Sequence, residues 1–273
     1  VLIIALFGFG VVMLAGGGSS FEQQFGIPAF FGTALMAILV FLFGMMKIDG
    51  VVKVIGNITP LLIICILIIA GYCIITMSGS FSELNQLAQS HKPAVPNWFL
   101  AGVNYVSLNV GLGASMSIVM GGSEKNPKIA AWGGLIGGLI LGIMIMLSHF
   151  AILTNIDTVG HLALPMLGLV NDISPIFGIF MSIVIYLMIF NTCLGMFYSL
   201  ATRFTKNDTK QFKAFYTIMI LIGFVVSFAG FKDLMTFFYP VIGYLGLVLI
   251  GVLIYAPFKM KKLENKAPEH YPN

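Results

Sequence analysis

Long apolar runs separated by short polar gaps are the feature that most limits how this chain can fold. Hydrophobic residues make up 59% of its 273 residues and charged residues only 9%, whereas a water-soluble domain typically carries about 25% charged residues. A helix needs roughly 20 apolar residues to cross the hydrocarbon core of a bilayer. The sequence therefore predicts an all-α, polytopic membrane helix bundle and excludes an ordinary water-soluble globule.

Eight of the apolar runs are long enough to be membrane-spanning helices. They cover residues 1–17, 28–46, 51–77, 97–121, 127–153, 174–203, 213–229 and 234–255. We expect a single membrane domain over residues 1–258 and a short polar tail over residues 259–273. Because Val1 opens an apolar run without a charged segment or a cleavage site, we interpret it as the start of a chain that lacks its natural beginning, not as a signal peptide.

The positive residues alternate between the gaps. Twelve of the fourteen lysines and arginines fall in every second gap or in the tail. Loops rich in Lys and Arg stay in the cytoplasm, so we expect both ends of the chain in the cytoplasm and the loops around Glu22, His91, Asp157 and Asp233 outside. The net charge of +4 reflects this topology, and without a basic stripe interleaved with aromatic residues we expect no nucleic-acid partner.

The fourth run contains polar residues and glycines in its middle: Asn104, Ser107, Asn109, Gly111 and Gly113. Irregular backbone is tolerated at membrane depth where it lines a cavity or is buried in protein, and broken helices form the binding sites of many secondary transporters. We therefore expect this helix to unwind at residues 109–113 and these five residues to bind a solute. The alternative is a continuous, glycine-rich packing helix with hydrogen-bonded polar side chains.

Two other runs carry candidate features. Asn191 and Thr192 in the sixth run supply amide and hydroxyl oxygens that could coordinate Na⁺, although interhelical hydrogen bonds would also explain them. In the fifth run, Gly134, Gly138 and Gly142 recur at every fourth residue. This spacing predicts a smooth ridge that another helix can approach closely.

The segment between the fifth and sixth runs, residues 154–174, is too polar to be a further span. It contains a short apolar piece at residues 165–170, whose length suits a re-entrant or interfacial segment on the outer face. Such a piece could be an external lid, or it could be an ordinary capping loop.

Few residues could carry protons or hold a metal. The ten acidic residues fall outside the apolar runs, so we expect no carboxylate proton relay within them. His149, at the end of the fifth run, is either a packed neutral histidine or a proton carrier.

Cys65, Cys73 and Cys193 lie inside apolar runs, so neither a disulfide framework nor a zinc site is predicted, and no metal or cofactor is expected.

Four short stretches carry a family resemblance: GGGSSFEQQFG at 16–26, NYVSLN at 104–109, PML at 165–167 and ISP at 173–175. Together they resemble the YkvI family of bacterial membrane proteins, which is similar to the amino acid/polyamine/organocation transporter superfamily.

The resemblance implies a fold of two inverted five-helix repeats. The eight runs would be helices three to ten, with the first two helices absent, so that residues 1–79 remain from the first repeat and residues 97–258 form the second. It also implies that the fourth run is the second broken helix, and that Asn191 and Thr192 lie where sodium-coupled relatives hold Na⁺.

We therefore expect a secondary transporter of the bacterial inner membrane that moves a small amino-acid-like or other organic solute, coupled to Na⁺ or H⁺. The alternative is a non-transporting membrane scaffold or partner subunit, which the absence of two helices would favour. An enzyme is not expected, because Gly113-Ala114-Ser115 and His149 only faintly resemble the serine–histidine pair of an intramembrane protease. The substrate, the coupling ion, the direction of transport and the oligomeric state are left open by the sequence.

Overall fold

The computed structural model of the protein describes residues 2–46, 48–77, 79–90, 95–123, 126–206 and 209–264, apart from the side chains of residues 2, 48–59, 115–123, 257–258 and 260–264. Every regular element within these ranges is a helix. The helices are α1 (Leu2–Phe25), α2 (Ala29–Gly44), α3 (Ile48–Ile75), α4 (Phe81–Gln89), α5 (Trp98–Ser123), α6 (Pro127–Leu153), α7 (Ile156–Val159), α8 (Pro165–Ile173), α9 (Pro175–Thr202), α10 (Lys210–Ser227) and α11 (Phe231–Glu264).

All eight predicted runs are helical, as α1, α2, α3, α5, α6, α9, α10 and α11. Among the described residues, five helices are both long and apolar enough to cross a membrane, namely α1, α6, α9, α10 and α11. Helix α2 and the Pro60–Ile75 part of α3 are apolar but shorter. The chain is therefore an all-helical, multi-pass membrane protein, while the count of eight crossings stays a prediction.

Helix α1 continues to Phe25, so the predicted end of the first run at residue 17 was wrong. The glycines there allow a close helix contact instead of ending the helix. A Cβ added to Gly18 would lie 2.6 Å from the carbonyl oxygen of Ala29, and one added to Gly32 would lie 2.8 Å from that of Gly17. The chain then turns at Gly26, whose φ of 66° is in the left-handed region that glycine adopts without strain.

The central helix of the bundle is α1, which packs against α2, α9, α10 and α11. Val11, Val12 and Leu14 are fully buried on it, and the side chains around them form the larger of two apolar cores. A central helix of this kind is apolar around its whole circumference, as residues 3–18 of α1 are.

The second core lies between α3, α6, α8 and α9 and includes Cys65, Ile69 and Val184. It also takes in the short apolar piece predicted between the fifth and sixth runs, which forms α8. This helix has nine residues, fewer than half of the roughly 20 that a crossing needs, and it buries Leu167 and Val170. The expectation that this piece does not form a span is confirmed.

Candidate functional site

Helices α5 and α11 are joined by a polar seam, which takes up three of the five residues predicted to bind a solute. Asn104 donates a hydrogen bond of 3.0 Å from Nδ2 to the carbonyl oxygen of Pro240. The Ser107 hydroxyl lies 2.6 Å from the carbonyl oxygen of Gly243. Both side chains are buried. Because each is bonded to the partner helix, the seam positions α5 rather than presenting these groups to a cavity.

Glycines allow the two helices of this seam to come so close. A Cβ added to Gly243 would overlap the Asn104 side chain, and one added to Gly246 would overlap the carbonyl oxygen of Ser107. At Gly111 an added Cβ would lie 3.4 Å from the Cα of Gly246. The backbones are therefore in near contact over this stretch, as in small-residue interfaces of membrane helices.

The predicted unwinding of the fourth run at residues 109–113 was wrong, because α5 is one continuous helix from Trp98 to Ser123. Asn109 donates a hydrogen bond of 2.8 Å from Nδ2 to the carbonyl oxygen of Tyr105 on its own helix. The glycines serve helix contact instead of chain flexibility. The alternative, a continuous packing helix, describes Asn104, Ser107 and Gly111.

Asn109 and Gly113 lie on the other side of α5, where they line a groove of about 730 Å³ between α5 and α6. The α6 wall of this groove is the predicted glycine ridge. Apart from the neighbouring residues and backbone of α6 itself, none of the described heavy atoms lies within 4 Å of a Cβ added at Gly134, Gly138 or Gly142. Within the described part of the chain, no helix therefore packs against the ridge.

A cavity of about 310 Å³ lies between α1, α3, α6, α8 and α9. Its lining is mostly apolar and includes Met13 and Met166, with two hydroxyl side chains, Ser148 and Thr192. The Thr192 hydroxyl donates a hydrogen bond of 3.0 Å to the carbonyl oxygen of Met188. Its neighbour Asn191 is buried. The predicted solute residues and ion residues therefore line different spaces and are not brought together in one site.

A third cavity, of about 420 Å³, lies where α1 ends and where α2 and α11 begin. Charged side chains line it: Glu22, Lys232 and Asp233. From the sequence, Glu22 is expected in a loop outside the membrane segments, whereas the structure places it in the last turns of α1. Its position beside Gln23 and Gln24, just after the apolar run, was the only local signal in the sequence.

Residues 156–173, which contain α7 and α8 and are called the lid segment below, are bonded to α1 and α11. The amide group of Gln23 pairs with the backbone of Leu164 in both directions, each hydrogen bond being 2.8 Å long. Asn171 donates a hydrogen bond of 2.9 Å to Oε1 of Gln24, and the ammonium group of Lys232 donates to the carbonyl oxygen of His161. A few polar contacts thus hold the lid segment between the charged cavity and the cavity at Thr192.

His149 does not belong to any of these spaces. Its side chain is exposed, and its ring centroid lies 6.0 Å from that of Phe150. The interpretation of His149 as a packed histidine was therefore wrong.

Two bacterial proteins are similar to this chain over most of its length. The "Uncharacterized membrane protein YkvI" of Bacillus subtilis (strain 168) is 27% identical over 253 residues, which are 93% of this chain and 71% of that protein. The "Uncharacterized protein YyaD" of the same organism is 23% identical over 262 residues, or 95% of this chain and 74% of that protein. No family model and no solved structure matches the chain. The similarity supports a YkvI-like family, while the link to a transporter superfamily stays a prediction.

The seam between α5 and α11 predicts how two glycine substitutions will differ. Replacing Gly246 by alanine should lower the free energy of unfolding by about 1–3 kcal/mol, because the new methyl group meets backbone that cannot move aside. Replacing Gly251 by alanine, on the same helix but with nothing within 4 Å of its added Cβ, should leave stability unchanged or slightly higher. Thermal unfolding of both variants in detergent measures the difference, and equal losses would contradict the seam.

The lid contacts predict faster local opening when Gln23 is replaced by leucine. The variant loses both hydrogen bonds to Leu164, so the backbone amide of Leu164 should exchange with deuterium about tenfold faster, or more. Gln86→Leu, an exposed substitution on α4, is the control and should not change this exchange. Unchanged exchange at Leu164 in the Gln23 variant would mean that these bonds do not hold the lid segment.

Proposed function

We propose that the protein is a secondary transporter that moves a small amino-acid-like or other organic solute across the bacterial inner membrane, coupled to Na⁺ or H⁺. Eight crossings with both chain ends in the cytoplasm, and the inverted-repeat arrangement, are part of this proposal. The central support is the cavity of about 310 Å³ among helices that include α1, α6 and α9. Hydroxyl groups in such a cavity give a polar solute or a cation a place to lie away from lipid.

The observation that carries the proposal is the position of the lid segment on this cavity. Leu164, Pro165 and Met166 of the lid segment line the cavity directly. The helix that they begin is too short to cross a membrane, and few hydrogen bonds attach it to α1. In this proposal α8 gates the cavity, which requires it to leave its apolar contacts in the second core as well as these hydrogen bonds.

The residues divide into three roles in this proposal. Thr192, with Asn191 behind it, provides the ion site, and Asn109 and Gly113 face the solute from the groove between α5 and α6. Asn104, Ser107 and Gly111 keep α5 in place on α11. Coupling to Na⁺ would use oxygen ligands at Thr192. Coupling to H⁺ would require a titratable side chain along the pathway that the solute follows.

A membrane scaffold or partner subunit is the second candidate, and the exposed ridge on α6 favours it. Helix α6 is exposed over most of residues 127–143, and the spacing of Gly134, Gly138 and Gly142 suits close contact with a further helix. A protein whose function is to bind a partner would show such a face but would bind no solute.

Substitutions at Thr192 and Asn109 separate these candidates. Thr192→Val and Asn109→Leu should weaken solute uptake or solute-induced thermal stabilisation by one to two powers of ten in affinity, since a polar contact at such a site contributes roughly 1–3 kcal/mol. Thr217→Val is the matched control, because Thr217 makes the same bond to the carbonyl oxygen four residues earlier. Amino acids and related organic solutes are screened by thermal shift, in Na⁺ and in Na⁺-free buffer.

The same experiment contains the outcome that would overturn the transporter proposal. If the variants lose stability while the folded molecules bind as before, the two side chains are structural. If no solute stabilises the full-length protein in either buffer, the scaffold becomes the better account.

The proposed topology predicts which introduced cysteines react from outside the cell. In a background without Cys65, Cys73 and Cys193, a cysteine at Asp157 should react with a membrane-impermeant thiol reagent in intact cells, and one at Lys206 should react only after lysis. The positive residues of the Lys206 loop keep it in the cytoplasm. Labelling at Lys206 from outside would reverse the proposed orientation.

A further inference from the structure

We propose that the cavity of about 420 Å³ at the ends of α1 and α11 binds a small organic solute through a protonated amine, with Glu22 and Asp233 as its counter-charges. Glu22 and Asp233 come from opposite ends of the chain and line the same cavity. This site is separate from the cavity at Thr192. The inference goes beyond the proposed function, since it concerns binding alone and can hold whether or not the protein transports.

The charge of the cavity favours a cation. Within the part of the chain that the structure describes, no hydrogen bond or ion pair involves the carboxylate of Glu22 or of Asp233. The third charged group, Lys232, is bonded to the carbonyl oxygen of His161 on the lid segment. Because the lining contains two carboxylates and only one ammonium group, the net charge of the cavity is negative. A concave site with one sign of charge concentrates ligands of the opposite sign.

The uncharged part of the lining suits an ammonium group in particular. Three phenylalanines, Phe30, Phe228 and Phe231, line the cavity. The rings of Phe30 and Phe228 are stacked, with centroids 5.9 Å apart and planes inclined by 15°. Aromatic faces attract ammonium groups, more strongly where water is partly excluded. Phenylalanine offers no comparable attraction to a carboxylate or a phosphate.

Hydroxyl groups complete the lining on the α1–α2 side. Ser19 and the buried Thr33 both face the cavity, and their oxygens can accept hydrogen bonds from an ammonium group, which has donors only. Carboxylates, hydroxyls and aromatic rings together are the groups that an amine requires. An anionic ligand would meet two charges of its own sign.

The cavity and the lid segment share neighbouring residues. Glu22 precedes Gln23, which bonds Leu164, and Asp233 follows Lys232, which bonds His161. An amine held between the two carboxylates therefore lies beside two of the contacts that hold the lid segment. Binding there should also change the rate at which the Leu164 amide exchanges.

Three solutes of similar size test the inference on the full-length protein in detergent. They are 3-methylbutylamine, which has only the amine, leucine, which has the amine and a carboxylate, and 4-methylpentanoate, which has only the carboxylate. We expect the amine to bind and 4-methylpentanoate not to bind.

Glu22→Gln and Asp233→Asn should each weaken amine binding roughly tenfold, and Glu22→Asp should weaken it less. Asp172→Asn, which removes an exposed carboxylate of the lid segment, is the control and should not affect binding. Calorimetry measures each affinity, and thermal unfolding without solute checks that each variant is folded.

Each outcome decides the question. Binding of the amine, with or without leucine, that is lost in the Glu22 and Asp233 variants but kept in Asp172→Asn supports the site. Leucine then shows whether a carboxylate beside the amine is accepted. Binding of 4-methylpentanoate as tight as that of the amine would overturn the proposal, as would absence of amine binding or an equal loss in the control. Uptake into liposomes is measured separately, so that a failure of transport leaves this result intact.

Discussion

Close contact between helix backbones, made possible by glycine, is the constraint on which the rest of this structure depends. At the α1–α2 contact, Gly18 and Gly32 bring carbonyl oxygens of the opposite helix within 2.6 and 2.8 Å of where a Cβ would stand. At the α5–α11 contact, Gly243 and Gly246 leave no room for a side chain. Lipid gives little hydrophobic drive for helices to associate, so packing and polar contacts between close helices must provide it. The same closeness lets Asn104 and Ser107 reach backbone carbonyls of α11.

These contacts explain which features could be predicted from the sequence. The run lengths and the charge pattern predicted the helices, because they follow from bilayer thickness and the cost of burying charge. The role of the glycines was harder to predict, because glycine in a membrane helix can mark either a break in the helix or a close contact with another helix. Gly111 marks a contact, and so α5 is continuous. The partner on α11 lies more than a hundred residues away in sequence, and no local pattern could reveal it.

The cavities could not be predicted for a related reason. Each is lined by residues from several helices that are distant in sequence, as Thr192 and Met13 are. Glu22 and Asp233 looked like ordinary loop charges, and only the packing of α1, α2 and α11 places them in one cavity. That the lid segment does not cross the membrane was easier to predict, because its apolar piece is short and has polar residues on both sides. The lid segment lies between two cavities and contributes Ala163 to one and Leu164 to the other.

In the proposed function, the cavity beneath the lid segment is reached from water and takes up a solute or its coupling ion. Ser148, which lines this cavity, can be replaced by cysteine in a protein without the three native cysteines, all of which are buried. The rate at which a polar thiol reagent modifies this cysteine measures access directly. We predict slow modification that speeds up when Gln23→Leu is added and slows when a bound solute or Na⁺ occupies the cavity. A cysteine at this position that never reacts, or that reacts at the same rate in both backgrounds, would contradict the claim.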